Sequence, residues 1–347
     1  MAADLDPTTP TTRPPAAAAL TAIALMAAIA AVSIAIDVAV PAISGVIVAI
    51  VLGIVARTAF GLGGAQQLIV ALASKRALQL GIILLGTGLS VADVVQTGGR
   101  SLLAIVLAVA VTLAVVAALA RRFGVSRDLA VLLAAGTAIC GATAIMALAP
   151  ITRARATEIS FAIATITLFG TAAIAAYPLI GHALGMSEHA FGVWAGMAIH
   201  ETAQVIAAGF QYGDEAGATA TIVKLTRTTL LVPLALALTV VATREERRRA
   251  HSGGAPAPRA SLLRVFPWFI LGFVAAALVN SLGWIPSGAS AWLPSAAKAL
   301  ITFAMAGVGL NTDLRDVRRI GPAPLTVGLV GATVMGIVSF ALLGLAT

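Results

Sequence analysis

The chain has 347 residues, of which 60% are hydrophobic and only 10% are charged, and its formal net charge is +8. A soluble domain carries about 25% charged residues, so this composition excludes a water-soluble fold and indicates a protein solvated by lipid. The basic residues lie between apolar runs, a pattern that favours positively charged cytoplasmic loops over nucleic-acid binding.

Apolar runs long enough to cross a bilayer follow one another along the chain. A helix needs about 20 apolar residues to cross ~30 Å of hydrocarbon, and lipid offers no partner for the backbone of open sheets or loops. The sequence therefore predicts an all-α, polytopic transmembrane helix bundle of about eleven spans, with roughly nine as the lower bound. The predicted spans are 16–36, 38–56, 77–96, 100–120, 129–150, 158–182, 190–209, 217–242, 265–284, 297–313 and 322–346.

Two polar stretches divide this predicted membrane domain. Residues 1–15 are rich in Pro and Thr, which predicts a disordered cytoplasmic tail. Residues 244–264 contain an arginine run and are predicted to form a cytoplasmic linker between a first group of membrane segments, 16–243, and a second group, 265–347.

The distribution of Lys and Arg predicts the orientation of the bundle. With the N-terminus in the cytoplasm, most basic residues fall in inner loops, as expected for a multi-pass protein of the bacterial inner membrane. The outer loops hold only Arg100, Arg153, Arg155 and Lys298. The pair Arg153 and Arg155 fits this orientation least well, since a fifth span that crosses the bilayer puts both outside. A re-entrant or broken fifth segment would place this pair elsewhere.

Two pairs of similar strings suggest internal repeats. Residues 86–93 read GTGLSVAD and residues 307–313 read GVGLNTD, while residues 135–147 read AGTAICGATAIMA and residues 195–207 read AGMAIHETAQVIA. Many transporters are built from repeated halves with broken helices at the substrate site. The two pairs do not follow one common order, so they predict repeats without fixing their boundaries.

Four ionisable residues fall at membrane depth and carry the functional prediction. His200 and Glu201 lie near the middle of the seventh predicted span, and Lys224 and Arg227 lie on one face of the eighth. A charge near the bilayer centre costs about 2.5–3.5 kcal/mol, so such groups face the protein interior or water. The cluster keeps one unmatched positive charge, which suits an anionic substrate. A permanent structural network of Glu201 with the two cations is the alternative.

His200 and Glu201 also begin a string that is similar to the zinc-protease motif H-E-x-x-H. The second histidine is replaced by Gln204, and the chain has one cysteine, Cys140, and four histidines. We therefore expect no metal site, no cofactor and no enzymatic activity. His200 is instead a candidate proton acceptor, because its reference pKa near 6.5 lies in the physiological range, and a packed histidine is the alternative.

Glycine-rich strings supply the other candidate substrate contacts. A broken helix exposes N–H groups that can hold an anion within the membrane, and the segment 136–150 has the Gly, Thr and Ala content that such a break favours. Tight helix packing without a break is the alternative. The candidate residues are Gly136, Thr137, Gly141 and Thr143, together with Gln204 and, in the string that ends the tenth span, Asn311.

At these strings the sequence resembles the YeiH-like sulfate exporter family of bacterial membrane proteins. The resemblance rests on LGTGLS, AICGATAIMALAP, YPLIG, IHETAQVIAAG, KLTRTTLLVP, PWFILGFVAAALVNS and AMAGVGLNTDL, in this order along the chain. It implies a transporter related in architecture to inverted-repeat cation/proton antiporters and bile-acid-type carriers with crossed, broken helices. His200, Glu201, Gln204, Lys224, Arg227 and the stretch 136–143 match the most distinctive positions of that family.

The sequence thus predicts a secondary transporter that exports a small anion, sulfate or an organosulfonate, with energy from an ion gradient. Lys224 and Arg227 would bind the anion, and His200 and Glu201 would couple its transport to protons. A passive anion channel and a bundle whose buried charges are only structural are the alternatives. The expected partners are the anionic substrate and the lipid bilayer, and the sequence is compatible with a homo-oligomer.

Overall fold

The computed structural model describes residues 16–40, 44–250, 267–312 and 322–346, with the backbone alone for 245–250 and 287. Helices without any strand make up this part of the chain, which confirms the predicted all-α fold. The helices are α1 Ala16–Ala39, α2 Gly45–Phe60, α3 Gly64–Leu85, α4 Val91–Arg122, α5 Arg127–Ala135, α6 Ala142–Thr152, α7 Ala156–Ala183, α8 Glu188–Ala198, α9 Thr202–Tyr212, α10 Asp214–Thr229, α11 Leu231–Ala250, α12 Phe269–Ser281, α13 Ser287–Ser290, α14 Leu293–Asn311 and α15 Pro322–Ala341.

The helices have the length and composition of membrane spans. Seven segments within the described residues are long and apolar enough to cross a bilayer: α1, α3, α4, α7, α10 with α11, α14 with its preceding turn, and α15. The shorter helices α2 and α12 are also apolar. Three exposed tryptophans lie near the ends of α12 and α14, where aromatic side chains mark the membrane–water boundary. They are Trp268, Trp284 and Trp292.

The segment α5–α6 enters the bundle and returns to the same end. Ser126, immediately before α5, donates its hydroxyl to the Glu158 carboxylate at 2.5 Å, and Glu158 lies in the first turn of α7, directly after α6. Both ends of the segment are therefore together. The chain reverses at Gly141, whose φ of +63° is a left-handed conformation that glycine adopts without a steric penalty. We call this segment hairpin 1.

The segment α8–α9 forms a second re-entrant hairpin from the opposite end. Glu188, in the first turn of α8, accepts hydrogen bonds from the backbone N–H groups of Glu215 (3.0 Å) and Ala216 (3.3 Å), which begin α10 directly after α9. The ends of hairpin 2 are thus also together. Because α7 crosses the bundle between them, the two hairpins enter from opposite faces, each followed by a crossing helix. A re-entrant hairpin followed by a crossing helix thus occurs twice, in opposite orientations, which is the arrangement of an inverted repeat.

Two predicted spans therefore need correction. Residues 129–150 and 190–209 have enough apolar residues to cross a membrane, but each folds back on itself because a glycine or extended residues interrupt the helix halfway. Arg153 and Arg155 consequently lie at the same end as Arg122. The bounds of two further spans also need correction. The predicted spans 77–96 and 100–120 correspond to α3 and α4, which begin earlier in the chain and are separated by a short turn at 86–90.

We refer to the end of the bundle that holds Arg122, Arg127, Arg153 and Arg155 as the Arg-rich end, and to the other as the Arg-poor end. Nine segments cross between the two ends within the described residues: α1, α2, α3, α4, α7, α10 with α11, α12, α14 and α15. Nine crossing segments in the described residues equal the lower bound of the prediction, and the two hairpins account for the other two predicted spans.

Cysteine labelling tests this topology. In a Cys140→Ala background, single cysteines at Arg153 and Arg122 should react with a membrane-impermeant maleimide from the same side of the membrane. A cysteine replacing Trp284, which is exposed after α12 at the Arg-poor end, should react from the other side. Reaction of the Arg153 and Trp284 positions from one side would show that hairpin 1 crosses the membrane.

The helices pack into two groups that interleave along the chain. Helices α1, α2, α3, α12 and α14 pack together and form what we call the panel, while α4 to α11 and α15 form the hairpin bundle. Buried side chains of α9 and α10, such as Ile206 and Ile222, pack against the panel and join the two groups. The predicted tail, 1–15, lies outside the described residues. The predicted linker, 244–264, begins within α11 and continues beyond what the structure describes.

Candidate functional site

The tips of the two hairpins meet near the middle of the bundle. At 1.5 Å per residue, hairpin 1 extends roughly 21 Å from Arg127 to Gly141, and hairpin 2 roughly 18 Å from Glu188 to His200, whereas α7 is about 42 Å long. Hairpin 1 turns through the π-helical segment Gly136–Cys140, and hairpin 2 turns through the non-helical residues 199–201. Each tip therefore leaves backbone carbonyl and N–H groups without partners in its own helices.

Lys224 lies on α10 beside both tips and is fully buried. Its ammonium group donates to the carbonyl oxygen of Ile139 in hairpin 1 at 3.0 Å, and to those of Ile199 (2.9 Å) and His200 in hairpin 2. A lysine has three protons to donate. All three have acceptors, and all the acceptors are backbone oxygens at the tips.

Arg227 lies one turn further along α10 and is also fully buried. In hairpin 1 its guanidinium donates to the carbonyl oxygens of Ala138 (2.8 Å) and Thr137 (2.6 Å). In hairpin 2 it donates to those of Met197 (2.5 Å) and Ile199 (2.9 Å). The planar guanidinium is suited to several acceptors at once, and here it clamps the two tips to each other.

The two cations therefore meet the negative ends of two half-helices. The carbonyl groups that end α5 with its π-helical turn, and those that end α8, carry the negative pole of each helix. Lys224 and Arg227 neutralise both poles, which would otherwise be exposed in a medium of low dielectric constant. No salt bridge joins Glu201 to either cation in the part of the chain that the structure describes, so the predicted network of direct ion pairs is replaced by contacts to the backbone.

Glu201 occupies the opposite, positive poles. Its carboxylate accepts from the backbone N–H of Ala142, the first residue of α6, at 3.1 Å, and Glu201 itself immediately precedes α9. The Gln204 side chain accepts from the backbone N–H of Glu201 at 3.2 Å and donates to the Thr167 carbonyl at 3.5 Å. One carboxylate thus lies where two helix N-termini converge, the arrangement that binds anions in many proteins.

Two glycines allow these close contacts. A Cβ atom at Gly141 would collide with the Glu201 side chain, and one at Gly170 of α7 would collide with the Gln204 amide. Both positions require the absence of a side chain. Gly136, by contrast, packs against Ile145 within hairpin 1 and lies behind the tip.

Replacing Gly141 with Ala is expected to destabilise the protein, because the left-handed backbone alone costs about 1–2 kcal/mol for a residue with a Cβ, before the collision with Glu201 is added. The matched control is Gly88→Ala, since no atom lies within 4 Å of a Cβ built at Gly88. Thermal unfolding of both variants in detergent measures the difference. Equal melting temperatures would contradict the described tip geometry.

The remaining candidates fall into three environments. His200 is 3% exposed and neither ring nitrogen has a hydrogen-bond partner, and the Thr137 hydroxyl is likewise buried without one. Thr143, in the first turn of α6, is exposed. Asn311 is exposed at the end of α14 in the panel, where its amide donates to the Gly307 carbonyl of its own helix at 3.1 Å. The structure therefore does not bring Asn311 to the hairpin tips.

The similar strings at 135–147 and 195–207 correspond to equivalent positions in the structure. Each contains one hairpin tip, and the carbonyl groups that Lys224 and Arg227 contact lie at 137–139 in the first string and at 197–200 in the second. In the other pair, Gly307 and Gly309 allow close packing of α14 against α3 and α2. The similarity between the strings at 86–93 and 307–313 therefore reflects close helix packing in the panel.

A cavity of about 420 Å³ lies between the panel and the hairpin bundle at the Arg-poor end. Lys298 of α14 lines it and lies 3.4 Å from Asp37 of α1 and 3.8 Å from Asp214 of α10. The contact to Asp214 joins the panel to the hairpin bundle. Sequence reasoning missed this residue because Lys298 lies near the end of a span, where a basic side chain is ordinary.

Comparisons with known proteins identify the family of this chain. The family model described as Conserved hypothetical protein 698 matches residues 18–328. The chain belongs to this family. Among its relatives in the family, a UPF0324 membrane protein of Bacillus anthracis is 37% identical over 296 residues, 85% of each chain.

Two further family members are similarly related. The UPF0324 membrane protein of Oceanobacillus iheyensis is 34% identical over 290 residues, covering 83% of this chain and 84% of its own. That of Geobacter sulfurreducens is 35% identical over 256 residues, covering 73% and 76%. These matches confirm the predicted YeiH-like membership and a multi-pass membrane protein. No solved structure matches the chain.

Proposed function

We propose that this protein is a secondary transporter of a small anion across the bacterial inner membrane. The observation that carries the proposal is the meeting of two helix N-termini at Glu201, halfway through the bundle: its carboxylate accepts from the first N–H of α6, and the residue itself immediately precedes α9. Re-entrant or broken helices whose positive ends point at mid-membrane are the usual anion sites of secondary transporters.

The anion site centres on the first turns of α6 and α9. There the backbone N–H of Ala142 is the first donor, and the hydroxyl of Thr143 follows it in the chain. Lys224 and Arg227 contribute the positive charge behind the tips, leaving the cluster of these two cations and Glu201 formally at +1 with His200 neutral. Once Glu201 is protonated the cluster is formally at +2, which a dianion such as sulfate in place of the carboxylate would balance.

Glu201 is the coupling residue in this proposal, because His200 lies buried beside the two cations, whose charges disfavour a third positive charge there. While Glu201 is ionised, its carboxylate occupies the Ala142 N–H group; once protonated, it loses the charge that holds it there and frees the group for the substrate. Binding of an anion at the site would thus be linked to binding of a proton by Glu201, so that a proton gradient supplies the energy for transport.

The substrate class follows from the site and from the family resemblance. Backbone N–H groups and a net positive charge suit an oxyanion, and the YeiH-like resemblance points to sulfate or an organosulfonate. The names of the relatives describe membrane proteins and give no substrate. The chemistry of the site favours a small sulfur oxyanion.

One observation favours a second candidate, a structural role for the two cations. Lys224 and Arg227 have seven hydrogen bonds to backbone carbonyls between them, so their donors are already occupied. Their assignment as direct substrate ligands therefore stays a prediction. In the transporter proposed here they hold the tips together and supply charge, and the N–H groups of α6 and α9 bind the anion.

Flux in proteoliposomes tests the proposal. Purified protein is reconstituted with labelled sulfate outside, and the interior is made alkaline or acidic relative to the exterior. Accumulation of sulfate above its equilibrium level, driven by the pH gradient, is the expected result. Downhill flux alone would instead show a channel, and no flux of sulfate, methanesulfonate or other small anions would overturn the assignment.

A further inference from the structure

An apolar groove lies on the hairpin bundle at the Arg-rich end, away from the hairpin tips. It has a volume of about 540 Å³ and lies between α4, α5 and α11. Pockets of this size hold ligands of a few tens of atoms. Because α5 is only nine residues long and turns back within the bundle, the groove ends inside the membrane layer.

The two ends of the groove differ in polarity. Arg121 of α4 and Arg127 of α5 line one end. From there α4 and α5 each continue for eight residues, roughly 12 Å, to Leu113 and Ala135, and the lining along this length is apolar. The occupant that matches these walls has an anionic head and a long apolar tail.

Small side chains create the space for the tail. Ala117 of α4 and Ala130 and Ala134 of α5 line the groove at the helix surfaces, while Leu234 and Leu238 of α11 form the opposite wall. Among the side chains that the structure describes, Asp128 and Glu158 are the nearby carboxylates. Neither lines the groove, and Glu158 is bound by Arg155 and Ser126.

We propose that this groove is a binding site for an anionic phospholipid, with the phosphate at Arg121 and Arg127 and one acyl chain along the alanines of α4 and α5. Basic pockets between transmembrane helices that border an apolar surface recognise anionic headgroups in this way. The acyl chain would reach Ala134 and Ala135, directly before the π-helical turn whose carbonyls Lys224 and Arg227 contact. A bound lipid would therefore brace hairpin 1 from behind.

Native mass spectrometry of the purified full chain tests this proposal. Detergent-solubilised protein is titrated with phosphatidylglycerol, with phosphatidylcholine of the same acyl chains, and with glycerol 3-phosphate as the headgroup alone. Preferential retention of phosphatidylglycerol is expected. The variant Arg121→Gln/Arg127→Gln should bind it on the order of tenfold more weakly. The control Arg122→Gln, next to Arg121 but outside the groove lining, should bind it like the wild type.

A second variant separates the tail from the headgroup and does not depend on the arginines. Ala117→Trp fills the groove and should reduce phosphatidylglycerol binding while leaving Arg121 and Arg127 in place. Equal phosphatidylglycerol binding by the wild type, the double variant and Ala117→Trp would overturn the proposal. Displacement of the lipid by glycerol 3-phosphate would overturn it as well, because the site would then bind a free phosphate.

Discussion

Replacing Arg227 with Met is expected to lower the free energy of unfolding by about 3–5 kcal/mol, the size seen when one side of a buried charged network is removed. The substitution removes the Arg227 donor from four backbone carbonyls at the buried hairpin tips, of which that of Ile199 keeps another donor, Lys224. Met keeps the unbranched stem of the side chain and lacks the guanidinium group. The loss therefore reports mainly the hydrogen bonds and the charge of that group.

Two comparisons sharpen this experiment. Arg227→Lys keeps the charge but loses the planar group that reaches both tips, so we expect a loss of stability between those of the wild type and Arg227→Met. Lys298→Met removes a cation that is 39% exposed, and surface ion pairs contribute only about 0–1 kcal/mol. Thermal and chemical unfolding in detergent measure the stability of the three variants. A melting temperature of Arg227→Met equal to that of Lys298→Met would refute the clamp.

Replacing Glu201 with Gln is expected to uncouple transport from protons while the protein stays folded. Gln keeps an oxygen that can accept from the Ala142 N–H, so the contact between the hairpin tips survives. It cannot gain or lose a proton in the working pH range. Sulfate exchange should continue, whereas uphill uptake driven by a pH gradient should fall to the background.

The matched control is Glu215→Gln, because Glu215 is an exposed carboxylate at the beginning of α10, near hairpin 2 but far from its tip. It should retain gradient-driven uptake. Glu201→Ala removes the acceptor as well, and we expect it to cost a further 1–3 kcal/mol or so in stability. If Glu201→Gln accumulates sulfate like the wild type, Glu201 is no coupling residue and its role is to cap α6.

The sequence predicts the membrane bundle well and its turning points poorly. Apolar composition and run length identify the embedded segments because lipid imposes those requirements directly. A run such as 129–150, however, has the same length whether it crosses the membrane or folds back inside it. Only the contact between Ser126 and Glu158, which lie in different segments, decides between the two.

The same limit applies to the candidate site. The charges of His200, Glu201, Lys224 and Arg227 at membrane depth indicate a site because buried charges are costly. Their partners could not be predicted, because Lys224 and Arg227 contact backbone oxygens, which every residue type carries. The glycine at 141 was the one signal for a turn, and its positive φ explains why the helix ends there.

The clamp on α10 also limits how a carrier of this design can move. Arg227 donates hydrogen bonds to the tips of both hairpins. If one hairpin moved alone, the guanidinium and several backbone carbonyls would stay buried without hydrogen-bond partners. If the protein transports as proposed, the least costly motion is a displacement of the whole hairpin bundle along a stationary panel, during which the contact between Asp214 and Lys298 breaks and re-forms. In such a motion the substrate site keeps its geometry, and only the side of the membrane to which it is open changes.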